Sequence, residues 1–333
     1  MFWNNVKIAL RNLRKNKAFA AINIAGLAIG LTVFVFGTLI VNYERTHDDF
    51  YKNADRIYTL GATAGPELNV GIENFTAVHS AVGTAVKTDL EDVEAVARTL
   101  AHEYLIGMGE DRFYETIRFA DPALLEIFDF QYIHGDASVL DDPSSLLITE
   151  STAIKYFGKT NAIGEVVTLD NEFDFYVSAV IADLPLNTHF NSSPLLDAHL
   201  NMVAPIQALA RLRDFDVAGD WDNLSIGNMT YVLLPEGLDG DWLQTQIDAV
   251  YERIVDDDVR RVIAAFTVYP LSSANTGIWD MIGVPAISVV YLLSFLVLFV
   301  ACVNYSILAT AQSLGRGGGV GMRTTMGASR RRL

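Results

Sequence analysis

Six histidines, His47, His79, His102, His134, His189 and His199, and one cysteine, Cys302, are the side chains best suited to hold a metal or act as a nucleophile. None stands in a spacing that does so. His102-Glu103 opens like a zinc-protease helix motif, whose two histidines must lie four residues apart on one helix face, yet position 106 is Ile106. Phe157-Gly158-Lys159-Thr160 ends like a nucleotide-binding loop. That loop needs a glycine five positions before its second glycine so that the backbone can wrap the phosphates, and the position holds Ala153. Gly315 to Gly321, GRGGGVG, has neither the preceding strand nor the lysine and reads as a flexible turn. The chain is therefore expected to hold no metal, no cofactor and no catalytic site. Its histidines are expected in loops or on the surface, and Gly158 as a helix stop.

The elements around these residues are set by where the charge lies. Residues 1–43 carry five basic residues (Lys7, Arg11, Arg14, Lys15, Lys17) and residues 284–333 carry five more, with no Asp or Glu in either segment. All 40 acids fall between Glu44 and Gly283, against the remaining fourteen basic residues, so the middle bears −26 within a chain of net charge −16. Two apolar runs mark the partition, Ala18 to Tyr43 and Val284 to about Ala311. Each exceeds the ~20 residues that carry a helix across a bilayer core, where every backbone group must find its partner inside the segment. The first run is too long for a cleaved secretory signal and ends in VNYERTHDDF, without a small-x-small cleavage site. Basic flanks stay on the cytoplasmic side of such spans. Both basic ends are accordingly expected inside and the acidic middle, residues 44–283, outside. The negative balance argues against nucleic acid as a partner. Cys302 is the single cysteine, so no disulfide can form within the chain, and it falls inside the second span.

The first seventeen residues place Phe2, Trp3, Val6, Ala9, Leu10 and Leu13 on one helix side and Lys7, Arg11, Arg14 and Lys15 on the other. That pattern predicts a basic amphipathic helix lying on membrane lipid at the inner leaflet. Within the first span Gly26 and Gly30 form a small-xxx-small pair, which lets a second helix approach closely. The outer segment reads as mixed helix and strand. His79 to Leu90 and Thr149 to Gly158 read as helices, and DPALLEIFDF as a helix capped by Asp121 with Pro122 in its first turn. Arg56 to Leu60, SLLIT, EVVTL, FDFYVSAVIA and NMTYVLL read as strands.

Five strings taken in order, DDFYKNADRIYTL, DPALLEIFDFQYIHGDASVLDDPSSLLITESTAIKYFGKTNAIGEVVTL, VIADLPLNTHF, ACVNYSILATAQS and VGMRTTMGASRRRL, closely resemble the MacB/FtsX-like family of ABC transporter permeases. The resemblance implies a bacterial inner-membrane protein of α+β class, with two transmembrane helices flanking a large extracytoplasmic mixed α/β domain of the MacB core type. It further implies that residues 312–333 form a cytoplasmic segment touching a separate ABC ATPase. By the resemblance Val320, Gly321, Met322, Arg323, Gly327, Ala328, Ser329 and Arg330 are its coupling residues. A second permease half or a second copy of the chain is implied as partner, and a periplasmic or outer-membrane protein is a further candidate. Substrate is expected to be moved by changes in the outer domain and not to pass between the spans. Family members show charged residues before the Val-Gly of the coupling segment, where this chain has Gly317-Gly318-Gly319, so a weakened helix is expected there. They also continue through further spans, from which a truncated product is expected.

Two other classes remain open to the residues alone. A two-span sensor would bind a ligand outside and signal through its tail, and the tail of about twenty residues is expected to be too short for an output domain. A membrane-anchored enzyme would need convergent titratable groups, for which His102, Glu103 and His189 are the candidates.

Overall fold

The computed structural model describes residue 3 and residues 17–68, 73–108, 111–191, 199–213, 216–219, 221, 227–274 and 284–325. The amphipathic helix expected over residues 1–17 thus lies, apart from Trp3 and Lys17, outside the described residues. The chain divides into two compact units, Glu44–Val284 and the remainder.

The remainder is built on two helices, α1 (Lys17–Arg45) and α8 (Ala286–Thr325). Both contain stretches long and apolar enough to cross a membrane, Ala20–Arg45 and Ala286–Ile307. Their large apolar side chains point outward, with Phe36 62% and Leu292 61% exposed, the reverse of a core helix in a water-soluble domain. Helix α8 runs without interruption through Gly317, Gly318 and Gly319, where a weakened helix is expected from the sequence. The cost of glycine in a helix is entropic and not steric, so the right-handed region stays open to it when the flanking turns are helical.

In the unit Glu44–Val284 eleven strands form one sheet in the order β11-β1-β10-β3-β4-β9-β6-β8-β5, with β2 on β1 and β7 joining β3 to β8. The strands are β1 (Ile57–Ala64), β2 (Asn74–Phe75), β3 (Ala95–Met108), β4 (Asp111–Ala120), β5 (Tyr132–His134) and β6 (Ser145–Thr149). They continue as β7 (Val166–Leu169), β8 (Phe173–Ile181), β9 (Met202–Pro205), β10 (Met229–Leu233) and β11 (Ile263–Pro270). Because β7 pairs with both β3 and β8, the path β3-β4-β9-β6-β8-β7 closes on itself as a small ring without free edges. Its filling is apolar: Ile106, Ile117, Phe119, Ile148, Val167 and Phe175 are buried together. The fourteen-residue β3 belongs to two structures at once. Residues 95–99 pair with β10 in an open sheet, and residues 106–107 pair with β7 in the ring.

The open part is covered on one face by α2 (Ser80–Asp89) and α6 (Gly240–Ile254), which bury Val82, Val86, Leu243 and Ile247 against Leu60, Val96 and Val232. Its edge strand β11 is closed by a side chain. Gln244 of α6 donates to the carbonyl of Phe266 at 3.0 Å and accepts from the amide of Val268 at 2.8 Å, standing in for a neighbouring strand.

Local signals are mostly obeyed. Helix α4 (Glu150–Phe157) starts at Thr149, whose hydroxyl accepts from the Thr152 amide, and stops at Gly158 with φ 68°. Asp121 departs from expectation. The helix α3 after it is only Leu124–Ile127, and the Asp121 carboxylate caps nothing. It instead takes Nε and Nη2 of Arg98 at 2.8 and 3.0 Å and the Arg98 amide at 3.0 Å. A bidentate, charge-assisted pair of this kind is roughly twice as strong as a neutral cap bond and wins the carboxylate.

Candidate functional site

Two places in the molecule bring polar or small residues into unusually close contact. The first is the facing surface of α1 and α8. A Cβ built on Gly30 would stand 2.5 Å from Cβ of Ala301, one on Gly37 would overlap Ser294, and one on Gly26 would lie 3.6 Å from Nδ2 of Asn304. Position numbers rise on one helix as they fall on the other, so the helices run antiparallel. Gly30, Gly37 and Ser294 are buried here although their neighbours are exposed. Small residues permit backbones to approach, and the packing is by van der Waals contact. Of the coupling residues expected from the sequence, Val320, Gly321, Met322 and Arg323 lie on the backbone of α8, while Gly327, Ala328, Ser329 and Arg330 fall outside the described residues.

The second place lies just beyond the end of α1. Helix α1 stops at Arg45, and the next residues are held by the segment 187–190. The side-chain amide of Asn187 donates to the Thr46 carbonyl at 3.0 Å, and the Asp48 amide donates to the Asn187 carbonyl at 2.9 Å. Asp48, 1% exposed, then turns its carboxylate inward. Oδ1 accepts from the Thr188 hydroxyl at 2.6 Å, both oxygens accept from the His189 amide at 3.2 and 3.1 Å, and Nδ1 of His189 lies 2.9 Å from Oδ2. On the far side of the imidazole, Nε2 is 2.8 Å from the hydroxyl of Tyr231, in the middle of β10. The Tyr231 hydroxyl donates onward to Sδ of Met229 at 3.2 Å. Asp48 holds φ at 63°, in the left-handed region that Asp tolerates better than most residues.

An aromatic cluster encloses this chain of contacts. The Phe128 ring stands edge-on to Tyr51, Phe190 and Tyr231, with centroids at 4.8, 5.2 and 5.0 Å, and His189 stacks on Phe190 at 3.9 Å. Both ends of the outer unit pack into the same cluster. Tyr51 and Ala54 enter from the first end, and Leu271 and Ala274 from the last. Burial alone raises the Asp48 pKa, but the facing His189, with the bonds from His189 and Thr188, outweighs it and holds the carboxyl below its ordinary value. Burial drives the hydroxyls of Tyr231 and Tyr51 well above the ordinary range, so both stay neutral.

These contacts do not make a reaction centre. An acid, a histidine and a tyrosine in line resemble a proton relay, but Asp48, His189 and Tyr231 are 1%, 6% and 0% exposed and admit no substrate. Nor do His102, Glu103 and His189 converge. His102 lies on β3 opposite Ile117, its ring 6.2 Å from Phe119 in the ring-closed part, whereas His189 belongs to the aromatic cluster. Glu103 is exposed, on the opposite face of β3 from His102. Burial, with the charge of Arg213 adding to it, brings the pKa of His102 down to about 4. Among the described residues no group of three His, Cys, Asp or Glu side chains is placed to hold a metal. Sequence reasoning passed over Asp48, because a carboxylate in a run of charged and polar residues looks solvated. The strings THDDF and LNTHF carry its partners, yet nothing in their spacing joins them.

An acidic mixed α/β unit in a chain with two helices long and apolar enough to cross a membrane defines a membrane protein with a large folded domain. The sequence profile of the MacB-like periplasmic core domain matches residues 20–250, and the chain belongs to that family of ABC-type transporter permeases. Among solved structures, a domain described as part of a permease protein from Porphyromonas gingivalis aligns with a TM-score of 0.53 at 21% identity, covering 66% of this chain and 91% of that one. The periplasmic region of MacB from Actinobacillus actinomycetemcomitans aligns at 0.47 and 12% identity, covering 68% and 94%. The extracellular domain of the noncanonic ABC-type transporter YknZ from Gram-positive bacteria aligns at 0.44 and 14%, covering 64% and 98%. No curated protein sequence matches the chain.

Proposed function

We propose that the chain is a non-catalytic permease subunit that couples ATP hydrolysis by a separate ABC ATPase to shape changes in its extracytoplasmic domain. In this reading residues 18–43 and 284–311 span the bacterial inner membrane in contact with lipid, residues 44–283 lie outside, and both basic ends lie in the cytoplasm. Residues 312–333 meet the ATPase. A second permease half or a second copy of the chain completes the unit, and a periplasmic or outer-membrane protein is a further partner. The observation that carries the reading is the match of residues 20–250 to the MacB-like periplasmic core domain, in a chain with two helices long and apolar enough to cross a membrane. The absence of charge within either span supports it too, since a polar route through the membrane leaves ionisable residues at depth.

The test is purification from native membranes in mild detergent, followed by mass spectrometry for an ABC ATPase, beside a variant carrying Arg323→Glu and Arg330→Glu. The expected result is an ATPase bound to the parent and lost from the variant. A parent that brings down none, under conditions that keep other transporters whole, removes the proposal. Retention by the variant moves the contact away from the tail.

A further inference from the structure

We infer that Leu186 is a lipid contact, an apolar side chain that the outer unit presents to the headgroup layer close to where the first span leaves the bilayer. The inference goes beyond the coupling proposed above and rests on one part of it, that residues 18–43 span the membrane. No ATPase enters the argument.

Leu186 is 80% exposed, more than any other large apolar side chain among the described residues of Glu44–Val284. A leucine exposed on a loose loop is ordinary, but this loop is bound on both sides of it. The side-chain amide of Asn191 donates to the carbonyls of Leu184 and Pro185 at 3.3 and 3.2 Å. Beyond the leucine, the Asn187 side-chain amide donates to the Thr46 carbonyl at 3.0 Å, and the Asn187 carbonyl accepts from the Asp48 amide at 2.9 Å. The turn that carries Leu186 is therefore fixed at 184, 185 and 187.

The same bonds give its depth. Thr46 is covalently next to Arg45, the last residue of α1, and three residues past Tyr43, which closes the apolar run of the span. Three helical residues advance about 5 Å. Tyrosine is a residue type of the membrane–water interface, and the polar layer on each side of the hydrocarbon core is roughly 5–8 Å deep. With Asn187 bonded to Thr46, chain geometry keeps the Leu186 backbone within about 10 Å of Thr46 at whatever angle the unit takes on the helix. Phe50, two residues past Asp48, adds a ring that is 41% exposed. Tyr114 is 71% exposed, yet no bond of this kind ties it to residues beside a span. Apolar tips at headgroup depth bury themselves at the acyl boundary, so the bilayer is the partner whose chemistry suits Leu186 and Phe50.

The test uses the full chain carrying Cys302→Ser, so that an introduced cysteine is the sole thiol, in phosphatidylcholine vesicles. A nitroxide is attached at Leu186→Cys and, for reference, at Phe36→Cys in the first span and at Tyr114→Cys on β4. Collision with oxygen, which concentrates in the acyl layer, is compared with collision with a nickel chelate present in the water on both sides. The oxygen-to-nickel ratio at 186 is expected to stand at least about three-fold above that at 114 and below that at 36. Because the label is itself apolar, a second pair keeps the leucine. The nitroxide is placed at Phe50→Cys with Leu186 intact or replaced as Leu186→Asp, and the replacement should lower the ratio at 50 at least about two-fold. A ratio at 186 equal to that at 114 overturns the inference, as does a ratio at 50 indifferent to Leu186→Asp. A label at 186 shielded from both reagents is covered by protein, a second copy of the chain included, and overturns the lipid assignment. A label at 36 that reads as water removes the span and the inference with it, whereas water at 186 beside lipid at 36 leaves the span standing. Failure to capture an ATPase bears on the permease reading alone.

Discussion

The helix pair and the joint that follows it hold their partners by opposite means. Between α1 and α8 the contact is made of glycines, an alanine and a serine, shallow surfaces that fit in more than one rotational setting. At the joint a carboxylate, a hydroxyl, an amide, an imidazole and a phenol meet in one arrangement, and any slip leaves a buried polar group without its partner.

The largest expected effect comes from removing the carboxylate. Asp48→Ala strips two hydrogen-bonded groups, the Thr188 hydroxyl and the His189 amide, of their acceptor and the His189 imidazole of its facing charge, in a site that is 1% exposed. Breaking a buried pair from one side costs about 3–5 kcal/mol, a fall in melting temperature on the order of 10 °C for a domain of this size. Differential scanning calorimetry of the outer transition measures it. A shift under about 2 °C would place the joint among solvent-screened surface contacts and erase the contrast drawn above.

A smaller effect is expected at the helix pair. Gly30→Leu forces atoms into the space of Ala301, whose Cβ already lies 2.5 Å from where a Gly30 Cβ would stand. Overpacking costs about 1–3 kcal/mol. Ile29→Leu, on the exposed side, should cost under about 0.5 kcal/mol. Titrating the full chain from mild detergent into sodium dodecyl sulfate and following helicity compares the two. Equal midpoints would mean that the glycine face carries no packing.

Much of this architecture can be read from the chain, and the part that cannot has a common cause. The spans announce themselves because length and apolarity are local properties, as are the Thr149 cap and the Gly158 stop. The strands of the outer unit are equally visible in SLLIT and FDFYVSAVIA, where branched and aromatic residues crowd together. The long hairpin of β3 and β4 escapes notice. Its strands mix alanine, histidine, arginine and glutamate, and several of these polar side chains, Arg118 among them, are buried or half-buried by contacts distant in sequence, so no alternation marks the strands; helix α6 is passed over too. Asp121 reads as a cap because the cap rule is local, while its true partner, Arg98, is 23 residues away. Asp48 is the extreme case. Its partners are about 140 residues distant, and only the sheet brings Tyr231 to the same place.

Tyr231→Phe tests the far end of the joint alone. It removes the hydrogen bond to His189 and the weak one to Met229 and keeps the ring against Phe128, so about 1 kcal/mol of stability should be lost in urea unfolding. A double-mutant cycle with Asp48→Asn then asks whether the contacts act as one unit. Coupling of 0.5 kcal/mol or more is expected for residues in a single network. Strict additivity would divide the joint into two unrelated contacts.

Acid should separate the two regions by a subtler effect. The helix contact is lined by Gly30, Gly37, Ser294 and Ala301, which do not titrate between pH 2 and 7, so its stability is expected to stay flat with pH. The joint must respond, because the folded-state pKa of Asp48 lies below its ordinary 3.8. A depressed carboxylate stabilises the fold fully above the unfolded pKa and loses that contribution as pH falls through the lower, folded value. Its window therefore opens below about pH 4. His102 produces an earlier slope that must be removed first. Its pKa is lowered from 6.5 to about 4, so the unfolded chain takes up a proton that the folded one refuses, and stability declines as pH falls across that interval. In a His102→Asn background the decline between pH 6.5 and 4 should shrink, leaving the fall below pH 4. Adding Asp48→Asn should flatten part of that remainder. If the lower limb is unchanged by Asp48→Asn, the acid response belongs to other carboxylates, and the carboxylate at the joint carries no charge-dependent share of the fold.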